Sequence, residues 1–221
     1  MTLTMDFSSL NFLNGDGPDD FGTPANTPAP LSLDLQKGFT LDLAKPNGVA
    51  LSSVRVSLIW DPVIQGTDVD IDLSAFLLHN GRIQSVNDVI YFKTPKNGPA
   101  SSYITHSDDS RTGAEASGDD EDEWIQVNLD KVPSNVTSIV FVANIYNYQA
   151  NNQTFGVVRS LSRITDSSTG KPLADFALSN DYATDSAIVL GAVEKQNGSW
   201  VFKTIGEGMM ADLNGLLTRF Q

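Results

Sequence analysis

Short segments in which apolar and polar residues alternate constrain the fold of this chain more than any other feature of its sequence. Beyond residue 30 they follow one another closely, separated by clusters of Gly, Pro, Asn and Asp. Successive side chains of a strand point to opposite faces, so this alternation is typical of half-buried strands. The predicted strands are residues 31–35, 39–43, 54–60, 70–78, 88–92, 124–129, 138–146, 155–165, 172–178, 187–195 and 199–205.

The connections between these segments also favour an antiparallel fold. Asn80-Gly81 and Asn197-Gly198 are each flanked by strand patterns, and Asn-Gly is the preferred pair for a type I′ hairpin turn. Strands do not alternate with helical segments as they would in a parallel sheet. We therefore predict an all-β fold, a β-sandwich of about ten short strands that forms one domain over residues 31–221.

The last stretch of the chain has a different period. Apolar residues recur there at helical spacing, which predicts a short amphipathic C-terminal helix with Gly215 as a weak point. These apolar residues are Met209, Leu213, Leu216, Leu217 and Phe220.

Residues 1–30 differ in composition from the rest of the chain. The stretch 14–30, NGDGPDDFGTPANTPAP, is rich in Gly, Pro, Asp and Asn, which predicts a disordered tail. The first residues lack the basic and apolar regions of a secretory signal, and no apolar run approaches the roughly 20 residues of a membrane span. The chain has no cysteine, which excludes disulfides and thiolate metal sites and fits a reducing compartment. We expect a cytoplasmic protein without membrane insertion.

The charge of the chain limits its partners. It carries 27 acidic and 14 basic residues, a net charge of −13. Nucleic acids and anionic membranes both require a basic surface, so neither is expected as a partner. Eight of the acids lie between His106 and Trp124, where Arg111 is the one base. A cation is the simplest partner for such a segment.

Three aspartates share one face of a predicted strand. Asp68, Asp70 and Asp72 alternate with apolar residues, although aspartate is a poor strand former and neighbouring like charges repel. A bound calcium ion would explain them, because calcium takes six to eight oxygen ligands, many of them carboxylates. The spacing is not that of an EF-hand, since Leu73 and His79 stand where that loop needs Gly and Glu. A solvated acidic face remains the alternative.

The acidic segment 106–125 could supply further ligands. It contains Gly113 and Gly118, and Arg111 could order it by pairing with a carboxylate. Placed beside the aspartate-bearing strand, it would complete a site made only of oxygen ligands. Asp61, which follows a predicted strand, is either another ligand or an ordinary turn residue. A solvated acidic loop is again the alternative.

An ordered series of motifs resembles the TerD family of tellurium-resistance and stress proteins over residues 31–221. The series comprises WDP at 60–62, GTDVDIDLSAFLL at 66–78, HSDDSRTG at 106–113, GDDEDEWIQVNLDKVP at 118–133 and WVFKTIGEG at 200–208. The resemblance implies a β-sandwich that binds calcium, with two ions expected, and that has no enzymatic activity. It also implies a role in stress response through protein partners that the sequence does not name.

The resemblance assigns the metal ligands residue by residue. They are Asp68, Asp70, Asp72, Asp109, Asp119, Asp120 and Glu121, with Asp61 and Asp181 as two further acidic positions. The loop departs from the usual family pattern, since Asp108 and Ser110 stand where members usually have Gly and Asn.

Two other functions remain open at this stage. In the first, the carboxylates are the acid and base of a glycosidase, or His106 belongs with Asp108 and Asp109 to a metal-dependent hydrolase. A structural, hydrogen-bonded histidine is the simpler interpretation, because the chain has two histidines and two-metal hydrolases usually use several.

The second alternative is a calcium-dependent recognition module, lectin-like or peptide-binding, in which the ion orders a loop that contacts a partner. Its candidate contact residues are Trp124, Tyr146 and Tyr148. Core packing of Trp124 and ordinary strand positions for the tyrosines would explain these residues equally well.

Overall fold

The computed structural model describes residues 37–45, 47–63, 68–113, 120–179 and 181–221. The predicted tail 1–30, the predicted strand 31–35 and Asp119 lie outside the described residues. Within the described ranges the strands are β1 Thr40–Asp42, β2 Ser53–Pro62, β3 Ile71–Leu78, β4 Val89–Ile90, β5 Ile104–His106, β6 Glu123–Asn128, β7 Ser138–Ile145, β8 Val158–Asp166, β9 Lys171–Ala177, β10 Ala187–Gln196 and β11 Ser199–Met209. The α-helices are α1 Tyr148–Asn151 and α2 Leu213–Leu217.

The strands form two antiparallel sheets. One has the order β1-β11-β10-β7-β3-β4 and the other the order β5-β6-β2-β8-β9. Their facing sides share one apolar core, to which Val56 and Ile125 contribute from one sheet and Leu73, Phe141 and Phe202 from the other. The prediction of an all-β sandwich with a short C-terminal helix is confirmed.

Both Asn-Gly turns have the predicted backbone. Asn197 and Gly198 have φ angles of 50° and 86° between the paired residues Gln196 and Ser199. Asn80 and Gly81, at 56° and 85°, turn the chain in the same way after β3. A type I′ turn needs positive φ at both central residues, which glycine adopts without strain and asparagine tolerates.

The inner strands β3, β7 and β10 of the six-stranded sheet are largely buried on both faces. A second apolar cluster lies on its outer face, where Phe76, Val140 and Val189 pack with Leu216 of α2. All eight residues of β3 are therefore buried, including those that alternation alone would place in solvent. No helix of the described residues is long and apolar enough to cross a membrane.

The C-terminal helix is shorter than its apolar spacing predicts. Met209 still belongs to β11, and the helix begins only after Asp212, whose Oδ1 accepts a 2.8 Å hydrogen bond from the Gly215 N–H. The Ser186 hydroxyl donates a 3.0 Å hydrogen bond to the Ala211 carbonyl and accepts one of 3.0 Å from the Ala211 N–H. These bonds fix the backbone between β11 and the helix.

Four local features differ from the sequence prediction. The predicted strand 155–165 begins as a 3-10 turn, Phe155–Val157, and β8 follows it. The segment 88–92 is a strand only over β4, because Asp88 closes the capping box of the 3-10 turn Val86–Asp88. Strand β5 was not predicted, since its three residues are too short to show a period. Helix α1 was also not predicted; it is one turn long and is bounded by Asn147 and Asn152 in left-handed conformation.

Candidate metal centre

Three aspartates meet at the end of the sandwich where β3 begins. Asp70 directly precedes the strand, Asp72 lies within it, and Asp109 comes from the loop that follows β5 of the other sheet. One carboxylate oxygen of each lies within 4.8 Å of the others. Calcium binds oxygen at roughly 2.3–2.6 Å, so ligands on opposite sides of an ion stand about 5 Å apart. The three carboxylates can therefore contact one calcium ion.

Asp72 lies at the bottom of this group and is only 4% exposed. Its strand position faces Asn144 of β7, whose side-chain Nδ2 donates a 3.3 Å hydrogen bond to Asp72 Oδ2. Burial raises the pKa of Asp72 to about 7, and the charges of Asp70 and Asp109 add to this shift. A buried carboxylate among like charges favours either a proton or a cation, and a bound metal ion would serve as the cation.

Asn144 offers a further oxygen ligand beside Asp72. The residue is 2% exposed, and its Oδ1 has no hydrogen-bond partner among the described residues. Buried amide oxygens are normally paired, because leaving one unpaired costs about 1–3 kcal/mol. Calcium accepts amide oxygens as ligands as readily as it accepts backbone carbonyls, so this oxygen also fits the metal.

Glu123 holds the two segments that carry the aspartates together. It is fully buried at the start of β6, and its Oε2 accepts a 2.8 Å hydrogen bond from the Leu73 N–H. Its Oε1 accepts a 3.3 Å hydrogen bond from the Ser110 N–H. One carboxyl group thus joins the residue after Asp72 to the residue after Asp109. Burial raises the pKa of Glu123 to about 9, against the opposing effect of the Leu73 hydrogen bond.

His106 lies behind Glu123, within the core, and has a structural contact at each ring nitrogen. Nε2 is 2.7 Å from the Leu73 carbonyl oxygen, and Nδ1 is 2.9 Å from the Ser107 carbonyl oxygen. Nε2 also lies 3.9 Å from Glu123 Oε2, so the imidazole and the carboxyl group are neighbours in the core.

The loop bearing Asp109 is packed closely against β2. Gly113 has a φ of 64°, and a Cβ atom there would lie 2.6 Å from the Trp60 ring. The Trp60 indole donates a 2.9 Å hydrogen bond to the Val69 carbonyl, and its backbone N–H donates a 2.8 Å bond to Asp122 Oδ2. Glycine is required because another side chain would push the loop away from Trp60.

An opening of about 290 Å³ leads to Asp70 and Asp109. Lys93 and Arg111 also line it, and Arg111 Nε is 3.4 Å from Asp109 Oδ2. These cations partly balance the carboxylates on the solvent side, and the charge of Lys93 also opposes the rise in the pKa of Asp72. The site is thus open toward solvent and is lined by oxygen ligands at its bottom.

The structure brings together Asp70, Asp72 and Asp109 of the predicted ligands, and the other described candidates are not part of this group. Glu121 pairs with Arg55 at 2.7 Å. Asp61 lies in β2 opposite Arg159. The remaining three, Asp68, Asp120 and Asp181, are exposed. The roles of these five residues as metal ligands remain predictions, and so does a second calcium ion. Asp119 lies outside the described residues, and its role as a ligand also remains a prediction.

Sequence reasoning missed the parts played by Glu123 and Asn144. In β6 the residues Glu123, Ile125 and Val127 alternate with half-buried neighbours, so the period already placed Glu123 on the core side. Asn144 has no comparable signal, because its position beside Asp72 depends on the register between β3 and β7.

Comparison with known proteins agrees with the series of motifs. The family model of the TerD domain matches residues 31–220. The chain belongs to the TerD family. The tellurium resistance protein TerD of Serratia marcescens is 34% identical to this chain over 193 residues. The aligned residues cover 86% of this chain and 97% of that relative. General stress protein 16U of Bacillus subtilis (strain 168) is 37% identical over 194 residues, with the same coverage of both chains.

The TerD fold is also found among solved structures. The crystal structure of a homologue of the telluride resistance protein (TerD) from Streptomyces coelicolor A3(2) superposes with a TM-score of 0.62 at 20% identity. The match covers 78% of this chain and 97% of that chain. This likeness shows that the two chains share the fold.

Proposed function

We propose that this TerD-family protein is a cytoplasmic, non-enzymatic calcium-binding protein that acts in stress response or tellurium resistance through protein partners. The observation that carries the proposal is the group formed by Asp70, Asp72 and Asp109, whose oxygens have the spacing of ligands to one ion. Its relatives are named for tellurium resistance and general stress, which supports the biological setting.

The chemistry of the ligands favours calcium over other metals. The group contains only oxygen ligands, and the nearby His106 is occupied by backbone carbonyls. Zinc and copper favour histidine and thiolate ligands, whereas calcium favours carboxylates. Magnesium needs a near-ideal octahedron at roughly 2.0–2.1 Å, which an opening shared by a strand and a loop suits less well.

The position of His106 also supports a non-enzymatic role. A general base must reach a substrate proton, but both ring nitrogens of this residue contact backbone carbonyls within the core. The residue is 5% exposed and lies beside Glu123 in the core. Substrate turnover that disappeared in His106→Ala while the protein stayed folded would contradict this part of the proposal.

The test is calorimetric titration of calcium into EDTA-stripped protein in the presence of magnesium. We expect wild type to bind calcium, and Asp70→Asn with Asp72→Asn to lose at least one binding event. The control is Asp42→Asn with Asp130→Asn, which neutralises two exposed carboxylates away from the group and should leave the titration unchanged. Wild-type affinity and stoichiometry in the Asp70/Asp72 double variant would contradict the assignment.

A further inference from the structure

A second cleft, of about 280 Å³, lies beside the three aspartates. Asp72 and Asn144 line it, so it meets the candidate metal centre at its buried carboxylate. Its other sides come from the residues after β4, the residues after β7 and the start of α2. Elements remote in the sequence therefore form a concave surface next to the place where a cation would lie.

Four amide side chains contribute to the polar lining of the cleft. Asn144, Asn147, Gln149 and Asn214 all lie along it. Each amide offers both a donor and an acceptor, which matches a hydroxyl group because a hydroxyl also donates and accepts.

The aromatic lining complements these amides. Tyr91, Phe92, Tyr146 and Tyr148 border the same cleft, and Tyr146 is 52% exposed. Aromatic rings offer flat apolar surfaces with, in tyrosine, a polar tip. Such surfaces suit ligands that combine apolar C–H faces with hydroxyl groups.

The charges of the cleft disfavour an anionic ligand. Two carboxylates, Asp72 and Asp212, line it, and Lys93 is the one cation among its described lining residues. Phosphates and carboxylates only accept hydrogen bonds and are usually bound by several cationic groups. Neutral hydroxyls instead can take the open positions of a calcium ion, which binds neutral oxygen ligands as well as charged ones.

We propose that this cleft binds a neutral polyhydroxylated ligand, a saccharide, two of whose hydroxyls complete the coordination of the cation held by Asp70 and Asp72. The inference rests on the proposed function, because it needs the calcium ion. The amides of Gln149 and Asn214 bind further hydroxyls, and Tyr146 covers an apolar face of the sugar ring.

The test is binding of the full-length protein to an array of neutral mono- and oligosaccharides, in excess calcium and in EDTA, followed by calorimetry with the best-binding sugar. We expect binding in calcium and its loss in EDTA. The pair Gln149→Ala and Asn214→Ala should weaken the sugar at least about tenfold and leave calcium affinity unchanged. The control pair Asn97→Ala and Gln196→Ala removes two exposed amides outside the cleft and should change neither affinity.

The other outcomes distinguish this inference from the proposed function. Calcium binding without binding of any saccharide overturns the inference and leaves the proposed function standing. Absence of calcium binding overturns both. Saccharide binding that persists in EDTA would show that the sugar does not bind at the calcium ion. Saccharide binding that is unchanged by the Gln149→Ala and Asn214→Ala substitutions would show that it does not bind in this cleft. Calcium-dependent binding of inorganic phosphate in place of sugars shows that the ligand class is wrong.

Discussion

At the scale of single residues, Glu123 organises the candidate metal centre without belonging to its group of three. It accepts hydrogen bonds from the residue after Asp72 and from the residue after Asp109. A carboxyl group suits this place because both of its oxygens can accept, one for each segment. The distance between the aspartates therefore depends on a buried residue beneath them.

Glu123→Gln tests this arrangement. Glutamine has one acceptor oxygen, so one of the two backbone N–H groups would lose its partner and face the amide NH₂. We expect the variant to lose about 1–3 kcal/mol of unfolding free energy and to bind calcium more weakly. Urea unfolding in EDTA and calorimetric calcium titration would measure the two effects.

Glu121→Gln is the matched control, two residues earlier in the same segment. Its carboxylate forms a partly exposed ion pair with Arg55, and such pairs contribute about 0–1 kcal/mol. We expect Glu121→Gln to change calcium affinity less than Glu123→Gln does. If Glu121→Gln instead lost more calcium affinity, Glu121 would be a ligand and Glu123 would not position the site.

The buried acids also predict a pH dependence of the calcium-free protein. The folded pKa of Asp72 is raised from its ordinary 3.8 to about 7, so between these values the folded state binds more protons than the unfolded state. The free energy of unfolding should therefore fall as pH rises through this window, by up to about 1.4 kcal/mol per pH unit. Glu123, raised to about 9, has the same sign and extends the window upward.

Urea unfolding in EDTA at several pH values between 4 and 7 would measure this slope. Asp72→Asn should make it shallower. Calcium competes with the proton for the same carboxylates, so calcium affinity should rise with pH over that window. An unchanged slope in Asp72→Asn would mean that another group accounts for it.

At the scale of elements, helix α2 explains why β3 is buried on both faces. Its Leu216 is fully buried against the outer face of the six-stranded sheet, in a cluster with Phe76. The ring of Phe220 meets Phe76 edge-on at 5.6 Å, and the Phe220 carbonyl accepts a 2.7 Å hydrogen bond from the Ile83 N–H. The C-terminal segment is thus part of the packed domain.

Leu216→Ala should lower the free energy of unfolding by about 2–5 kcal/mol, because it removes a fully buried side chain and leaves a cavity. Leu217→Ala, which truncates a partly buried leucine of the same helix, should cost less. Chemical unfolding of both variants would measure the difference. Equal small losses would show that α2 contributes little to the sheet.

At the scale of the whole molecule, the proposed ion would join the two sheets at one end of the sandwich. Asp70 and Asp72 belong with one sheet and Asp109 with a loop of the other, so calcium bound there would link both. A ligand that binds only the folded state stabilises it by about 2.7 kcal/mol at a hundredfold excess over its Kd.

Deletion of residues 1–30 should leave the folded domain and its calcium affinity unchanged. The match to the TerD domain begins at residue 31, and the core described above is built from residues beyond it. Thermal unfolding of the truncated and full-length proteins, with calcium and with EDTA, would compare them. A large loss of stability on truncation would show that the first 30 residues are part of the domain.

Much of the fold could be predicted because its signals are local. The alternation of apolar and polar residues predicted the strands β2, β7 and β10. The dipeptide Asn197-Gly198 predicted a turn, because both residues tolerate positive φ angles. Elements of only three or four residues, such as β5 and α1, escaped because they are too short to display a period.

The sequence by itself determined the fold class, the hairpin turns, the family motifs and the two acidic segments, because each depends on residues that are neighbours in the chain. Only the tertiary structure decided that Asp70, Asp72 and Asp109 meet, that Glu123 joins their segments and that Asn144 lies beside Asp72. These contacts depend on the register between strands and on the packing of two sheets. Residues 37 positions apart, such as Asp72 and Asp109, become neighbours only when the whole sandwich has formed.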